Sequence, residues 1–315
     1  MRLIFMGTPD FAVPSLKKLI ASSHEILAVI TVPDRPKGRG LKMVGSPVKQ
    51  AALSENLTVL QPDNLKNPSF LNQLHQYGAD CFVIVGFRIL PPDVFEIPEK
   101  GSFNLHASLL PKYRGAAPIQ WAIIQGEKET GVTTFRLKKK VDTGDIYLQE
   151  KIEIHENETC GELHDRLAVL GADLVLKTVG LIDRGYTRLK IQQGDTSPAP
   201  KITPEVCAID WNKSAVIIHN QIRGLSPYPG AFTFWNSKRL KIYRSCVHTC
   251  HPSGGHTAGT VLKTDGKKLI ITTGEDTLSV EALQIEGKRR MTAEEFLHGY
   301  PIRPGDCFQS DRFRK

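Results

Sequence analysis

No run of eighteen or more apolar residues interrupts the 315-residue chain, so no transmembrane helix and no membrane partner are expected. The chain opens on Leu3-Ile4-Phe5-Met6 behind a single Arg2. It shows neither a small-residue cleavage region nor an Arg/Ser-rich amphipathic transit stretch, which points to a cytoplasmic protein. Only six cysteines occur, Cys81, Cys160, Cys207, Cys246, Cys250 and Cys307, and they are scattered. A chain of this length, 40% hydrophobic, needs no disulfide framework. One spacing invites a metal, Cys246-x3-Cys250-His251-x4-His256, but Pro252-Ser253-Gly254-Gly255 inside it reads as an ordinary loop, and no metal is expected. The dinucleotide fingerprint Gly-x-Gly-x-x-Gly is missing too; Gly7-Thr8-Pro9-Asp10 follows the first apolar run. No internal repeat or long low-complexity tract is present.

The patterning that remains is that of an α/β protein. Apolar runs at residues 2–6, 25–32, 79–85 and 102–106 read as strands. A helical pattern lies between the first two, over 11–22, with Leu16, Leu19 and Ile20 on one face. Strands alternating with helices predict a doubly wound, largely parallel, Rossmann-like sheet, with ligands bound outside the carboxyl ends of its strands. Thr159-Cys160-Gly161-Glu162 fits a capping box opening a helix that runs to about Ile182, with Gly185 at its exit. Periodicity is lost from residue 190, where Thr196-Ser197-Pro198-Ala199-Pro200 and Pro204 cluster. The expected division is therefore 1–189 as the first domain, 190–205 as a linker and 206–315 as a second domain. There a helix over 214–224 is followed by short strands over 231–235, 240–243, 259–262, 269–272 and 278–283, the spacing of a small β-barrel. The formal net charge is +8, unevenly placed. Residues 206–315 hold 16 Lys/Arg against 10 Asp/Glu, whereas residues 1–205 hold 25 against 23. A basic second domain suits a polyanionic partner, although many basic surfaces are merely solvated.

Residues 104–145 carry most of the chemistry. Asn104-Leu105-His106-Ala107-Ser108-Leu109-Leu110-Pro111 is followed later by Asp142-Thr143-Gly144-Asp145. A lone His beside a strand is more often structural than catalytic, and Asp-Thr-Gly-Asp alone reads as a turn. Together, an amide, an imidazole and a carboxylate suit acyl transfer to an amine. The amide stabilises an oxyanion, the imidazole donates to it or moves a proton, and the carboxylate orients the imidazole and accepts the amine proton. No Ser, Cys or Lys nucleophile stands beside them, so direct transfer is the simpler route. The combination resembles the formyltransferase family that uses 10-formyltetrahydrofolate, whose members carry an Asn-x-His pair, a Ser-Leu-Leu-Pro segment and a later Asp-Thr-Gly. Asn104, His106, Ser108 to Pro111 and Asp142 to Gly144 match position by position.

The resemblance implies a Rossmann-like formyltransferase domain followed by an OB-like barrel. It also implies a folate co-substrate, 10-formyltetrahydrofolate, catalytic roles for Asn104, His106 and Asp142, and a folate pocket built by Ser108, Leu109, Leu110 and Pro111 with Gly86, Phe87, Ile89 and Leu90. Within the family, the branch that formylates initiator methionyl-tRNA is the one resembled over nearly the whole chain. Gly7-Thr8-Pro9-Asp10-Phe11-Ala12 and Pro33 to Gly40, continued by Ser46-Pro47-Val48-Lys49, carry that resemblance. From Pro33 to Lys49 five basic residues face one acid, with glycines and prolines between. Charged loops are usually solvated, yet cations on a Gly-rich arm suit phosphate contacts and an RNA end. The resemblance assigns tRNA contacts to Arg35, Lys37, Arg39 and Lys42, and a monomer is expected. Two departures stand out. Val85-Gly86-Phe87-Arg88 replaces the usual Ala-Tyr-Gly before Ile89-Leu90-Pro91, and is closer to the glycinamide ribonucleotide enzymes. Lys140-Val141 replaces the usual Gly-Leu before Asp142, so that Lys138, Lys139 and Lys140 crowd this approach as either a solvated or a tRNA-facing turn. Two alternatives stay open: a formyltransferase for small amines such as an amino sugar, and an RNA-binding adaptor on a degenerate enzyme fold.

Overall fold

The computed structural model describes residues 1–37, 42–186, 188–248, 257–264 and 267–309. They fall into two compact units. The first draws on Met1–Gly115, Glu129–Ile152 and His164–Ala199, and the second on Ala116–Lys128, Glu153–Leu163 and Pro200–Lys315.

In the first unit the strands are β1 (Arg2–Gly7), β2 (Glu25–Ile30), β3 (Arg35–Lys37), β4 (Lys42–Val44), β5 (Val59–Leu60), β6 (Cys81–Val85), β7 (Ser102–His106), β8 (Arg114–Gly115), β9 (Glu129–Arg136), β10 (Ile146–Glu153) and β11 (Pro198–Ala199). Seven of them make one sheet in the order β10-β9-β7-β6-β1-β2-β5. β7, β6, β1, β2 and β5 pair in parallel, and β9 lies antiparallel to β7. The parallel strands read as unbroken apolar runs because both faces are covered: Leu3, Ile4, Phe5 and Met6 are all fully buried. The intervening helices start where chain chemistry dictates. Ser46 caps Pro47–Ser54 through the Lys49 amide at 3.0 Å, and Asn67 caps Pro68–Tyr77 through the Ser69 amide at 3.0 Å. Both helices place proline in their first turn, where its missing N–H costs nothing. No helix among the described residues is long and apolar enough to cross a membrane.

The second unit is built on an antiparallel sheet. Its strands are β12 (Ala231–Trp235), β13 (Lys238–His248), β14 (Val261–Thr264), β15 (Leu269–Thr272), β16 (Thr277–Ile285) and β17 (Met291–Thr292). They run in the order β12-β13-β16-β15-β14, with β17 on β16. The helix Ala215–Gly224 buries Ile218 and Ile222 against Leu240, Ile242 and Leu283. β13 is longer than the 240–243 segment read from the sequence. Register shifts at Ile242/Arg244 and Arg244/Ser245 break its alternation, so the period-2 signal fades while the pairing with β16 continues to His248.

The helix Cys160–Asp183 opens on the expected capping box. The Glu162 amide donates to Thr159 Oγ1 at 3.4 Å, and the Thr159 amide donates to Glu162 Oε2 at 2.8 Å. The Arg244 guanidinium grips the same carboxylate. Burial alone would push Glu162 up, but the hydrogen bonds from Thr159 and Arg244 more than offset it and hold this carboxyl below its ordinary value. A depressed carboxylate stabilises the fold above the unfolded pKa, and that stability is lost as pH falls through the folded one. Glu162→Gln is therefore expected to be less stable than the parent at pH 7, with the gap closing as pH falls below about 4.3, the value of an unfolded glutamate. Chemical denaturation at both pH values measures it. A gap of equal size in acid contradicts the assignment.

Candidate functional site at the end of the fourth parallel strand

β7 brings the amide and the imidazole to one place. Residues two apart on a strand share a face, so Asn104 and His106 point together while Phe103 and Leu105 point away. In register, Asn104 lies between Ile84 of β6 and Phe135 of β9, and His106 opposite Thr133 of β9. His106 is the last residue of its strand, at the carboxyl end where open α/β sheets bind ligands. Its side chain is buried, and Nε2 lies 2.8 Å from the Tyr113 carbonyl. A carbonyl only accepts, so Nε2 carries a hydrogen and donates. That leaves Nδ1, which stands 3.9 Å from Asp142 Oδ2, too far for a direct hydrogen bond but close for a charge interaction.

Asp142 arrives from the turn between β9 and β10. Its φ of 53° lies in the left-handed region, which aspartate tolerates better than most residues. Its Oδ2 accepts the Gly115 amide hydrogen at 3.0 Å, and its side chain is almost as buried as that of His106. The turn is threaded tightly. A Cβ on Gly144 would fall 1.6 Å from the Arg136 carbonyl oxygen, so only glycine fits there. Gln192 locks the turn: its Nε2 donates to the carbonyls of Asp142 at 2.9 Å and Gly144 at 2.8 Å, while its Oε1 accepts from Arg114 Nη2 at 2.6 Å.

Asn104 and Asp142 both line a cavity of about 100 Å³, together with Ile84, Phe87, Leu90, Phe95 and Leu137. Arg88, Ile89, Lys138, Lys139 and Val141 complete its wall. Ile89 is 75% exposed and Val141 48%, so apolar surface continues outward to the rim. The Asn104 carboxamide makes no hydrogen bond to any described residue. Of the residues expected to hold a folate, Phe87, Ile89 and Leu90 are thus on the wall. Gly86 adjoins them with φ 58°, and a Cβ there would meet Pro9 at 2.7 Å. Ser108 to Pro111 are not among the lining residues. Ser108 Oγ donates to the Lys112 carbonyl at 2.6 Å. Thr133 Oγ1 donates to the Ser108 carbonyl and accepts from the Leu110 amide, and Gln149 donates to the Leu110 carbonyl at 2.8 Å. Leu110 packs with Phe135, Ile146 and Leu137, so this segment supports the wall from behind.

Several positioning residues carry no sequence signal. Tyr113, Ser197 and Gln192 are the main ones. The Ser197 hydroxyl accepts the Tyr113 amide hydrogen at 2.9 Å, the Ser197 carbonyl accepts that of Arg114, and β11 pairs with β8. Residues 190–199, read from the sequence as the start of a linker, thus belong to the first unit and brace its site. Polar side chains on an irregular segment have no period to betray them.

The basic arm forms a two-stranded hairpin, β3 against β4, with Arg35 opposite Val44 and Lys37 opposite Lys42. Arg39 lies outside the described residues. At the base, Lys49 Nζ at 2.6 Å and Gln61 Nε2 at 2.7 Å hold the Asp34 carboxyl below its ordinary value. Cys250, His251 and His256 also lie outside the described residues, and no group of metal-ligating side chains occurs among those described.

The family model described as Formyl transferase matches residues 1–179, and Formyl transferase, C-terminal domain, matches residues 201–301. The chain belongs to the formyl transferase family. Among formyl transferase relatives, the methionyl-tRNA formyltransferase of Pelotomaculum thermopropionicum is 47% identical over 306 residues, 97% of each chain. The fold is similar to that of the N-formyltransferase from Helicobacter canadensis, solved with folinic acid and dTDP-3-aminofucose (TM-score 0.67, 22% identity, 88% of this chain and 98% of that one). It is also similar to HypX from Aquifex aeolicus in complex with tetrahydrofolic acid (TM-score 0.65, 16% identity, 94% of this chain and 47% of that one). The Rossmann-like sheet and the antiparallel C-terminal sheet read from the sequence are therefore those of a formyl transferase.

Gln192 provides a test of this geometry. Gln192→Ala frees the Asp142 turn without touching a cavity residue. Misplacing a catalytic group by about 1 Å costs up to about 100-fold. A fall of about 10- to 100-fold in formyl transfer is expected, with a small loss of stability in thermal melts. Full activity with only the stability loss would leave Gln192 a purely structural part.

Proposed function

We propose that this protein transfers the formyl group of 10-formyltetrahydrofolate to the α-amine of methionine on initiator methionyl-tRNA, acting in the cytoplasm as a monomer. The observation that carries the reading is the convergence of Asn104, His106 and Asp142 beside one apolar cavity, in a chain matched along its length by methionyl-tRNA formyltransferases. The cavity suits a folate. Its walls are apolar and aromatic, as a flat heteroaromatic ring requires, with Asn104 as a polar group that has hydrogen-bonding capacity to spare.

The division of labour follows from the hydrogen bonds. The Asn104 amide donates to the oxyanion that develops on the formyl oxygen as the amine attacks. His106 Nε2 is committed to the Tyr113 carbonyl, so Nδ1 is the nitrogen left to act. A proton on Nδ1 turns its approach to Asp142 from lone-pair repulsion into attraction, and gives the site a second donor. Asp142 keeps lone pairs beyond the one facing Gly115, and these accept the proton the amine must lose, directly or through a water. The tetrahydrofolate nitrogen departs as the carbonyl re-forms. No covalent enzyme intermediate is needed.

Asp142→Asn is expected to lower turnover by roughly 10²–10⁴-fold while folate binding and folding stay close to the parent, because the change removes charge and basicity but not volume. His106→Ala should fall in the same range. The Asn104→Ala/His106→Ala pair should lose much less than the sum of its singles, since residues acting as a unit are not additive. Single-turnover formylation measures all three. Parent turnover in Asp142→Asn would remove it from the mechanism.

The hairpin that carries Arg39 is the proposed contact with tRNA, through Arg35, Lys37, Arg39 and Lys42. Arg39→Ala is expected to weaken productive use of methionyl-tRNA with folate affinity unaltered. If Arg39 meets a phosphate, the salt dependence of tRNA binding should also fall by about one unit of log–log slope. Unchanged tRNA kinetics would make the hairpin an ordinary solvated surface.

A further inference from the structure

The turn that delivers Asp142 also carries Lys138, Lys139 and Lys140. Its backbone is pinned. The Arg136 amide donates to the Asp145 carbonyl at 2.9 Å, Thr143 Oγ1 donates to the Lys140 carbonyl at 2.8 Å, and Gln192 holds the two carbonyls beyond. The lysines therefore stand at fixed positions, not on a free loop. Lys138 and Lys139 line the same cavity as Asn104 and Asp142. Lys138 is paired with Asp145 at 2.9 Å. Lys139 and Lys140 are exposed, and neither side chain has an acidic partner among the described residues. The remaining cation of the wall, Arg88, spends its terminal nitrogens on the carbonyls of Pro62 and Asp63. Two uncommitted cations thus sit at one rim of an otherwise apolar pocket.

Their position relative to the chemistry indicates what they meet. The reacting end of the folate must lie near Asn104 and Asp142, and its ring system suits the buried residues Ile84, Leu90 and Phe95. The opposite end of the molecule carries carboxylates and must leave by the exposed rim, past Ile89 and Val141, beside the lysine turn. We propose that Lys139 and Lys140 are specificity determinants for the donor, docking a chain of γ-linked glutamates so that a polyglutamylated folate is preferred over the monoglutamate. The proposal rests on the folate reading above. Each added glutamate brings one carboxylate into reach of a lysine held on a rigid turn, and a surface pair of this kind contributes modestly and is screened by salt.

The test is equilibrium binding of tetrahydrofolate carrying one or three γ-linked glutamates. The parent protein should bind the triglutamate about three- to tenfold more tightly at low ionic strength, the product of two exposed pairs. The ratio should approach one in 0.5 M salt, about where screening reaches contact range. Lys139→Gln/Lys140→Gln should bring the low-salt ratio to about one, and Lys139→Glu/Lys140→Glu should invert it. Binding of both folates without discrimination overturns the proposal alone, as does a preference that survives in the double variant. A double variant that keeps the preference but loses apparent affinity for methionyl-tRNA assigns the lysines to RNA and overturns it as well. Failure of either folate to bind overturns the folate reading and the proposal with it.

Discussion

The Asp142 carboxylate accepts the Gly115 amide hydrogen from a turn so tightly threaded that no side chain fits at Gly144. Most of the candidate site depends on that closure. It sets the 3.9 Å approach to His106 Nδ1, and it places Lys138 and Lys139 on the cavity wall. Gln192 then ties the turn to Arg114, and Ser197 ties the Tyr113–Arg114 segment that receives His106 Nε2. Carboxylate and imidazole are held by different loops, yet both loops are bound to the same 190–199 segment. Buried polar groups that are fully engaged in this way are rigid, and an acyl-transfer site needs that rigidity because its donors must already point at charge that has yet to form.

The surroundings divide the work between apolar fit and charge. Phe87, Leu90, Phe95 and Leu137 offer a wall for an aromatic ring, while charge is kept to the rim and to the β3–β4 hairpin. The hairpin is anchored at its base, where Asp34 meets Lys49 and Gln61. Its cations are therefore presented from a defined root. In the second unit, Arg223 is buried and donates to the carbonyls of His155 and Glu158, fixing that segment to the helix Ala215–Gly224. Burial pushes both Arg223 and the neighbouring His219 down from their ordinary values.

The parts of the fold legible in the sequence were those that bury apolar surface by a simple rule. β1, β2, β6 and β7 are continuous apolar runs, and the Thr159/Glu162 box announces its helix. β9 and β10 escaped. β9 is buried along most of its length, but Thr130, Thr133 and Thr134 make it look polar, because their hydroxyls find partners inside: Thr134 with Thr178 at 2.7 Å, Thr133 with Ser108 and Leu110. Pro36 hid the β3 strand, which is short enough and peripheral enough to admit it. At the site, Asn104, His106 and Asp142 were legible as a combination of chemical types. Gln192, Tyr113 and Ser197 were not, since each acts through a hydrogen bond to backbone far away in the chain, and such bonds leave no pattern in the residues themselves.

Acceptor choice is where the account is most exposed, because the same donor chemistry serves both small amines and an aminoacyl-tRNA. The direct measurement is kcat/KM for formyl transfer from 10-formyltetrahydrofolate, compared between initiator methionyl-tRNA and a nucleotide-linked amino sugar. The account predicts efficient transfer to methionyl-tRNA and little or none to the amino sugar. Equal or better transfer to the amino sugar, or no transfer to methionyl-tRNA, would contradict it.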